Sequence, residues 1–193
     1  MGSIRIISGT LRGRPMQTPP GSQTRPLLSR LRKSLADILR PRLAGSKVLD
    51  LFGGSGAIAF ELLSNGAARA HIVELSPETA KLILKNAAAL GLGREITVTA
   101  GDGVAEIAAL ALKKEFFDII VVAPPYGLGL QEKAVHALAA HPLLSPGGVV
   151  IAQRENREKA AVPAAGLVCT AARSYGRTLF EFYEIAPSGA QHT

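Results

Sequence analysis

Three acids and a proline pair stand out by where they fall in the sequence. Asp50 opens the run Asp-Leu-Phe-Gly-Gly-Ser-Gly (50–56), and Glu74 closes the apolar run ARAHIVE (68–74). Asp102 lies between Gly101 and Gly103, and Ala123-Pro124-Pro125-Tyr126 ends the run FFDIIVVA (116–123). Glycines 53, 54 and 56 let backbone approach a ligand closely, and a helix starting after them turns its N-terminus toward it. A carboxylate at Glu74 can accept from both hydroxyls of a ribose, and one at Asp102 can meet an adenine amino group. The prolines cannot continue a sheet ladder, so the strand stops there. Tyr126 then stands at the mouth of whatever that strand supports, where an aromatic ring suits a flat substrate.

Each residue also has a plainer reading. Asp102 alone reads as a helix N-cap, and Glu74 alone as a solvated strand end. Gly54-x-Gly56-x-x-Ala59 fits a loose dinucleotide fingerprint, and Glu74 lies 18 residues beyond Gly56, near the usual spacing of about 20. On these residues a nicotinamide cofactor stays open. Three acids that each end a predicted strand are more specific than any one of them. His71, His136, His141 and His192 have no metal-ligand spacing and read as structural or surface residues, so no metal is expected.

The elements that must position these residues follow from periodicity. IRIIS (4–8) and RPMQT (14–18) read as two short strands of a hairpin, and TPPGSQTRP (18–26) as loop. Leu27, Leu28, Leu31, Leu35, Ile38 and Leu39 share one helical face, and Pro41 is expected to end that helix. From Lys47 onward strands and helices alternate: strands at 47–52, 68–74, 95–101, 116–123 and 147–153, and helices at 57–66, 76–91, 103–114 and 131–141. Two further strands meet near Tyr175–Gly176. Such alternation predicts an α/β fold with a mostly parallel sheet, closed by an antiparallel C-terminal edge. In such sheets ligands bind at the carboxyl ends of the strands, where the four motifs lie. The expected division is a basic N-terminal extension, residues 1–43, followed by one domain, residues 44–193.

Charge separates the same two parts. Of 22 basic residues ten stand at or before Lys47, against one acid, Asp37, so that segment carries +9 and the remainder −2. A basic arm on a near-neutral body points to a polyanion, and Arg12, Arg14, Arg25, Arg30 and Arg32 are the candidate phosphate contacts. The plainer alternative is a solvated charged helix. A single cysteine, Cys169, excludes a disulfide framework and a cysteine-rich zinc site. The opening MGSIRII is too short an apolar run for a signal peptide, and no segment is long enough to span a bilayer. A cytoplasmic monomer without membrane contact is expected.

Taken together, I6-I-S-G-T-L-R-G-R14, T24-R-P26, V48-L-D-L-F-G-G-S-G-A57, the Pro-Pro-Tyr segment and S174-Y-G-R-T178 resemble one family over nearly the whole chain. It is the RsmD-type small-subunit ribosomal RNA guanine-N2 methyltransferases, within the class I S-adenosylmethionine-dependent methyltransferases. The resemblance implies a Rossmann-like, doubly wound, seven-stranded sheet. It also implies S-adenosylmethionine held by Asp50, Phe52, Gly53, Gly54, Ser55 and Gly56 at its methionine part. Glu74, with Leu75 beside it, would hold the ribose, and Asp102 and Gly103 the adenine end. Ala123, Pro124, Pro125 and Tyr126 would meet a flipped guanine in 16S ribosomal RNA or in a small-subunit assembly intermediate. The family has Asp or Asn where this chain has Ala123, so the side-chain acceptor for the target amine is missing. Three readings stay open: an engineered inactive variant, a non-catalytic RNA-binding relative, or an active enzyme of altered geometry. Cys169 falls in a late predicted strand, which leaves a cysteine-nucleophile route without support.

Overall fold

Apolar runs bounded by Gly, Pro and capping residues become nine strands and five helices among the described residues. The computed structural model describes residues 2–20, 26–162 and 166–187, with the backbone alone for 26–28. The chain divides into two compact units, Met1–Gly103 and Val104–Thr193.

In the first unit β1 (Gly2–Arg5) and β2 (Pro15–Thr18) form an antiparallel ribbon, followed by α1 (Pro26–Leu43). Then come β3 (Lys47–Asp50), α2 (Ala57–Ser64), β4 (Arg69–Glu74), α3 (Pro77–Leu90) and β5 (Ile96–Ala100). β4 pairs in parallel with both β3 and β5, so the carboxyl ends of all three strands reach one edge. The ends of α3 follow the local sequence. Ser76 Oγ accepts from the Thr79 N–H at 3.2 Å, Pro77 occupies the first turn, and Gly91 leaves the helix at φ 79°.

The second unit holds most of α4 (Gly103–Leu112), then β6 (Phe117–Val122), α5 (Leu130–Ala140), β7 (Leu144–Glu155), β8 (Leu167–Tyr175) and β9 (Thr178–Ile185). β6 and β7 are parallel, and β9 runs antiparallel to both β7 and β8. The larger sheet has seven strands, mostly parallel with an antiparallel C-terminal edge as expected, and their order is β5-β4-β3-β6-β7-β9-β8. Residues 119–122 of β6 are all essentially buried. A continuous apolar run, rather than an alternating one, is what a strand covered on both faces requires. β8, at the outer edge, is largely exposed and built from small and polar residues.

Two local expectations need correction. The first hairpin strand is Gly2–Arg5 and not 4–8, because the N–H groups of Ile7 and Ser8 donate to the Glu61 carboxylate instead of to a strand. Pro41 does not end α1, which runs on to Leu43. So near the C-terminus a proline removes one hydrogen bond, and the burial of Leu39 and Leu43 holds the last turn in place.

Candidate functional site

The turn after β3 folds back on β4. Gly53 N–H donates to the Val73 carbonyl at 2.8 Å, and Gly56 N–H to the Gly53 carbonyl at 2.7 Å. Gly54, at φ 54°, is turned outward, and a Cβ there would meet nothing within 4 Å. Its N–H donates to Glu74 Oε2 at 2.7 Å, and Glu74 Oε1 accepts from the Ser76 N–H at 2.9 Å. The Glu74 carboxylate therefore ties the glycine turn to the start of α3, and each oxygen keeps a lone pair for a further donor. Beside it Leu75 is 72% exposed, an apolar face next to a carboxylate. Gly103 packs so closely on the backbone after β3 that a Cβ would lie 2.1 Å from the Leu51 carbonyl oxygen. Asp102, exposed, stands immediately before α4, while Phe52 and Ser55 are half-buried.

Asp50 is the buried acid of this cradle. Its Oδ1 accepts from the Phe52 N–H at 3.3 Å. Burial, with the Glu74 charge adding to it, pushes the carboxyl up to about 7 despite that bond. A cation placed beside it would lower the value again.

In the second unit the chain after β6 runs through half-buried Ala123, buried Pro124 and exposed Pro125 to Tyr126, which is 39% exposed. The tyrosine hydroxyl shares a hydrogen bond with Thr178 Oγ1 at 2.9 Å and accepts from Gln153 Nε2 at 2.8 Å. Gly127 N–H donates to Glu158 Oε1 at 2.5 Å. A pocket of about 230 Å³ opens here, lined by Pro124, Pro125, Tyr126, Gln131, Gln153 and Lys159 among others. Behind it Glu181 is buried and accepts from Arg154 at 2.8 Å, from Gln131 at 3.1 Å and from the Tyr183 hydroxyl at 3.0 Å. With all its partners in place, this buried group has its desolvation offset by hydrogen bonds.

The basic arm is locked to the first unit by a residue that sequence reading missed. Glu61, 1% exposed on α2, accepts from the N–H groups of Ile7 (3.0 Å) and Ser8 (2.8 Å) and from the Ser8 hydroxyl (2.7 Å). Ser64 Oγ donates to the Ser8 carbonyl at 2.6 Å and accepts from the Leu11 N–H at 2.9 Å. A carboxylate flanked by apolar residues in AIAFELLS was the available signal. The exposed face carries Arg12, Arg14 and Arg30, with Arg14 also donating to the Ala89 carbonyl at 2.9 Å. Arg32 departs from expectation. It is 8% exposed, donates to the Arg5 carbonyl at 3.3 Å, and is pushed down in pKa by burial against the opposing pull of Glu61. It is an interior cation, because its position on α1 faces the packed side with Leu31, Leu35 and Leu39. Arg25 lies outside the described residues.

A family model described as Conserved hypothetical protein 95 matches residues 4–184. Over 154 residues the chain is 32% identical to the ribosomal RNA small subunit methyltransferase D of Escherichia coli K12, covering 80% of this chain and 76% of that protein. The protein of the same name from Haemophilus influenzae is 28% identical over 162 residues, 84% of each chain. In three dimensions the chain is similar to the solved structure of yhhF from Escherichia coli. The TM-score is 0.83 at 27% identity, covering 96% of this chain and 99% of that one.

Proposed function

The chain belongs to the family of the ribosomal RNA small subunit methyltransferase D, and from that premise we propose that it methylates the exocyclic N2 of a guanine in small-subunit ribosomal RNA, using S-adenosylmethionine. The observation that carries the chemistry is Tyr126. Its ring is exposed at the end of β6, with the hydroxyl held from behind. A ring so placed can stack a flat base and fix its angle of approach.

The first unit fits the cofactor. The outward-facing Gly54 leaves space, Glu74 offers lone pairs to a vicinal diol, and exposed Leu75 offers an apolar face to a flat base. Asp50 would hold the methionine part, with Phe52, Gly53, Ser55 and Gly56 around it, and Asp102 and Gly103 the adenine end. When bound, the sulfonium supplies an electrophilic methyl group and leaves as a neutral thioether. The chain's own work is on the amine. A guanine N2 is a weak nucleophile because its lone pair is conjugated with the ring. The main-chain carbonyls of Ala123 and Pro124 would accept from its N–H groups and favour a more pyramidal nitrogen, and the N–H proton released on methylation would pass to solvent. Residues 1–43 serve as the RNA-contact extension and 44–193 as the catalytic domain, acting in the cytoplasm where subunits assemble. No helix among the described residues is long and apolar enough to cross a membrane.

A second reading follows from Ala123, which offers no side-chain acceptor: an RNA-binding relative that keeps the cofactor cradle. One experiment separates the two. The protein is incubated with labelled S-adenosylmethionine and an unmodified 16S transcript, free or assembled into subunits, and the digested RNA is examined for N2-methylguanosine. Its appearance supports the enzyme. RNA and cofactor binding without any methylated base supports the second reading, and a methyl group on another atom removes the guanine-N2 assignment.

A further inference from the structure

The motif S174-Y-G-R-T178 lies 48 or more residues beyond the Pro-Pro-Tyr segment in sequence, and methyl transfer at the Tyr126 pocket makes no direct use of it. We propose that this hairpin is the positioning element for the target base, with Thr178 as its central residue, setting the Tyr126 ring through the hydroxyl. The proposal rests on the reading that Tyr126 stacks that base.

Thr178 opens β9 and is 4% exposed. Its hydroxyl lies 2.9 Å from the Tyr126 hydroxyl, which also accepts from Gln153 at 2.8 Å. Two anchors on one phenolic oxygen fix the far end of the ring. The near end is fixed by the chain, since Gly127 N–H donates to Glu158. Glu158 Oε2 in turn accepts from the Glu155 N–H at 2.7 Å, and its carbonyl accepts from Arg154 Nη1 at 2.6 Å. The hairpin itself is tied to this turn. The Arg177 carbonyl accepts from the Asn156 N–H at 2.9 Å, and Arg177 Nε donates to Glu155 Oε1 at 2.9 Å. Tyr175 packs edge-on against Phe180 with ring centroids 5.8 Å apart. The residues of the motif therefore meet at one purpose: Arg177 and Tyr175 hold the hairpin, and Thr178 holds the tyrosine. The phenol is what satisfies the buried Thr178 hydroxyl, and a buried hydroxyl without a partner is disfavoured.

The test compares Thr178→Val, which keeps the shape and removes the hydroxyl, with Thr178→Ser, which keeps the hydroxyl, and with Tyr126→Phe. Each is made in the chain as written and with Ala123→Asp. Single-turnover methyl transfer to the unmodified 16S transcript, free or in subunits, is measured at saturating cofactor, and amide exchange of residues 123–130 by mass spectrometry. Thr178→Val is expected to slow transfer by about 10- to 100-fold, the scale of a small misplacement of a reacting group. It should also speed exchange of 123–130 and leave S-adenosylhomocysteine affinity unchanged. Thr178→Ser should restore both rate and protection, and Thr178→Val with Tyr126→Phe should cost little more than either alone. If transfer is present and Thr178→Val leaves rate and exchange unaltered, the positioning role is overturned and the proposed function stands. A loss of rate accompanied by an equal loss of cofactor affinity, or not restored by serine, also overturns it as a merely structural effect. Absence of transfer in both backgrounds overturns the proposed function and this role together.

Discussion

Ala123 offers only a methyl group at the place proposed for the target amine, so its effect should fall on the chemical step alone. The residues proposed for the cofactor lie in the first unit and do not include it, and the Tyr126 ring keeps both of its anchors. Ala123→Asp is therefore expected to raise the single-turnover rate, by up to about two to three orders of magnitude if the acceptor acts as strongly as a preorganised polar group at other sites. Affinities for cofactor and RNA should stay near those of the chain as written. An equal rate in both proteins would show that main-chain carbonyls suffice. Asp50 makes a second prediction, through pH. Its carboxyl is raised from 3.8 to about 7 in the folded state, so the folded protein binds more protons than the unfolded chain between those values. Stability in the absence of cofactor should then fall as pH rises through this window, by as much as about 4 kcal/mol at about 1.4 kcal/mol per unit. Urea unfolding at several pH values should show that slope in the parent and its loss in Asp50→Asn. Because an ionised Asp50 favours a cationic partner, S-adenosylhomocysteine, with its ammonium group, should bind more tightly as pH rises through 7, releasing a proton. The asparagine variant should bind it more weakly and with little pH dependence.

Among the elements, α2 does two jobs, and only one was legible. Its start after the glycine turn is written in Gly56 and the apolar run that follows. Its role as the anchor of the N-terminal loop is not, because Glu61 reaches partners 53 and 54 residues away. Glu61→Ala would leave the part-buried N–H groups of Ile7 and Ser8 without their acceptor and the Ser8 hydroxyl with only its bond from Asn65, and is expected to cost about 2–4 kcal/mol, by the usual cost of orphaned polar groups. Denaturant unfolding measures this, and proteolysis of the first twenty residues should quicken. If stability and proteolysis are unchanged, the loop is held by the Ser64 bonds and the β1–β2 ribbon instead. The strand shift to Gly2–Arg5 has the same origin, since the backbone of Ile7 and Ser8 chose a side-chain acceptor over a ladder. Pro41 shows the opposite case, in which a strong local rule yields to burial of Leu43 on the same helix. The exposed side of α1 carries Lys33, Asp37 and Arg40 in contact at 2.6 Å. That cluster ties up the arm's one acid and adds little stability, because all three are solvated.

At the scale of the whole molecule the basic arm should show itself in salt dependence. Neutralising Arg12, Arg14 and Arg30 is expected to lower the log–log slope of RNA affinity against salt by about 0.7–0.9 for each phosphate that the arm then fails to neutralise. Arg32→Ala should leave that slope alone and lower stability, since its guanidinium is buried against the Arg5 carbonyl. Binding titrations at several salt concentrations distinguish the two, and an unchanged slope in the triple variant would reduce the arm to a solvated surface. The sequence by itself determined which residues end strands, because alternation, glycine turns and Pro124–Pro125 are local signals with local physical causes. Parallel pairing then had to bring Asp50, Glu74 and Asp102 to one edge. It also determined that the arm is basic, since charge is additive along a chain. Only the tertiary structure decided which of those charges face solvent, and so removed Arg32 from the arm's surface. It likewise paired Thr178 and Gln153 with Tyr126, and Glu61 with the N-terminal loop. Those are contacts between residues tens of positions apart, set by register and packing, and no periodicity or spacing in the chain encodes them.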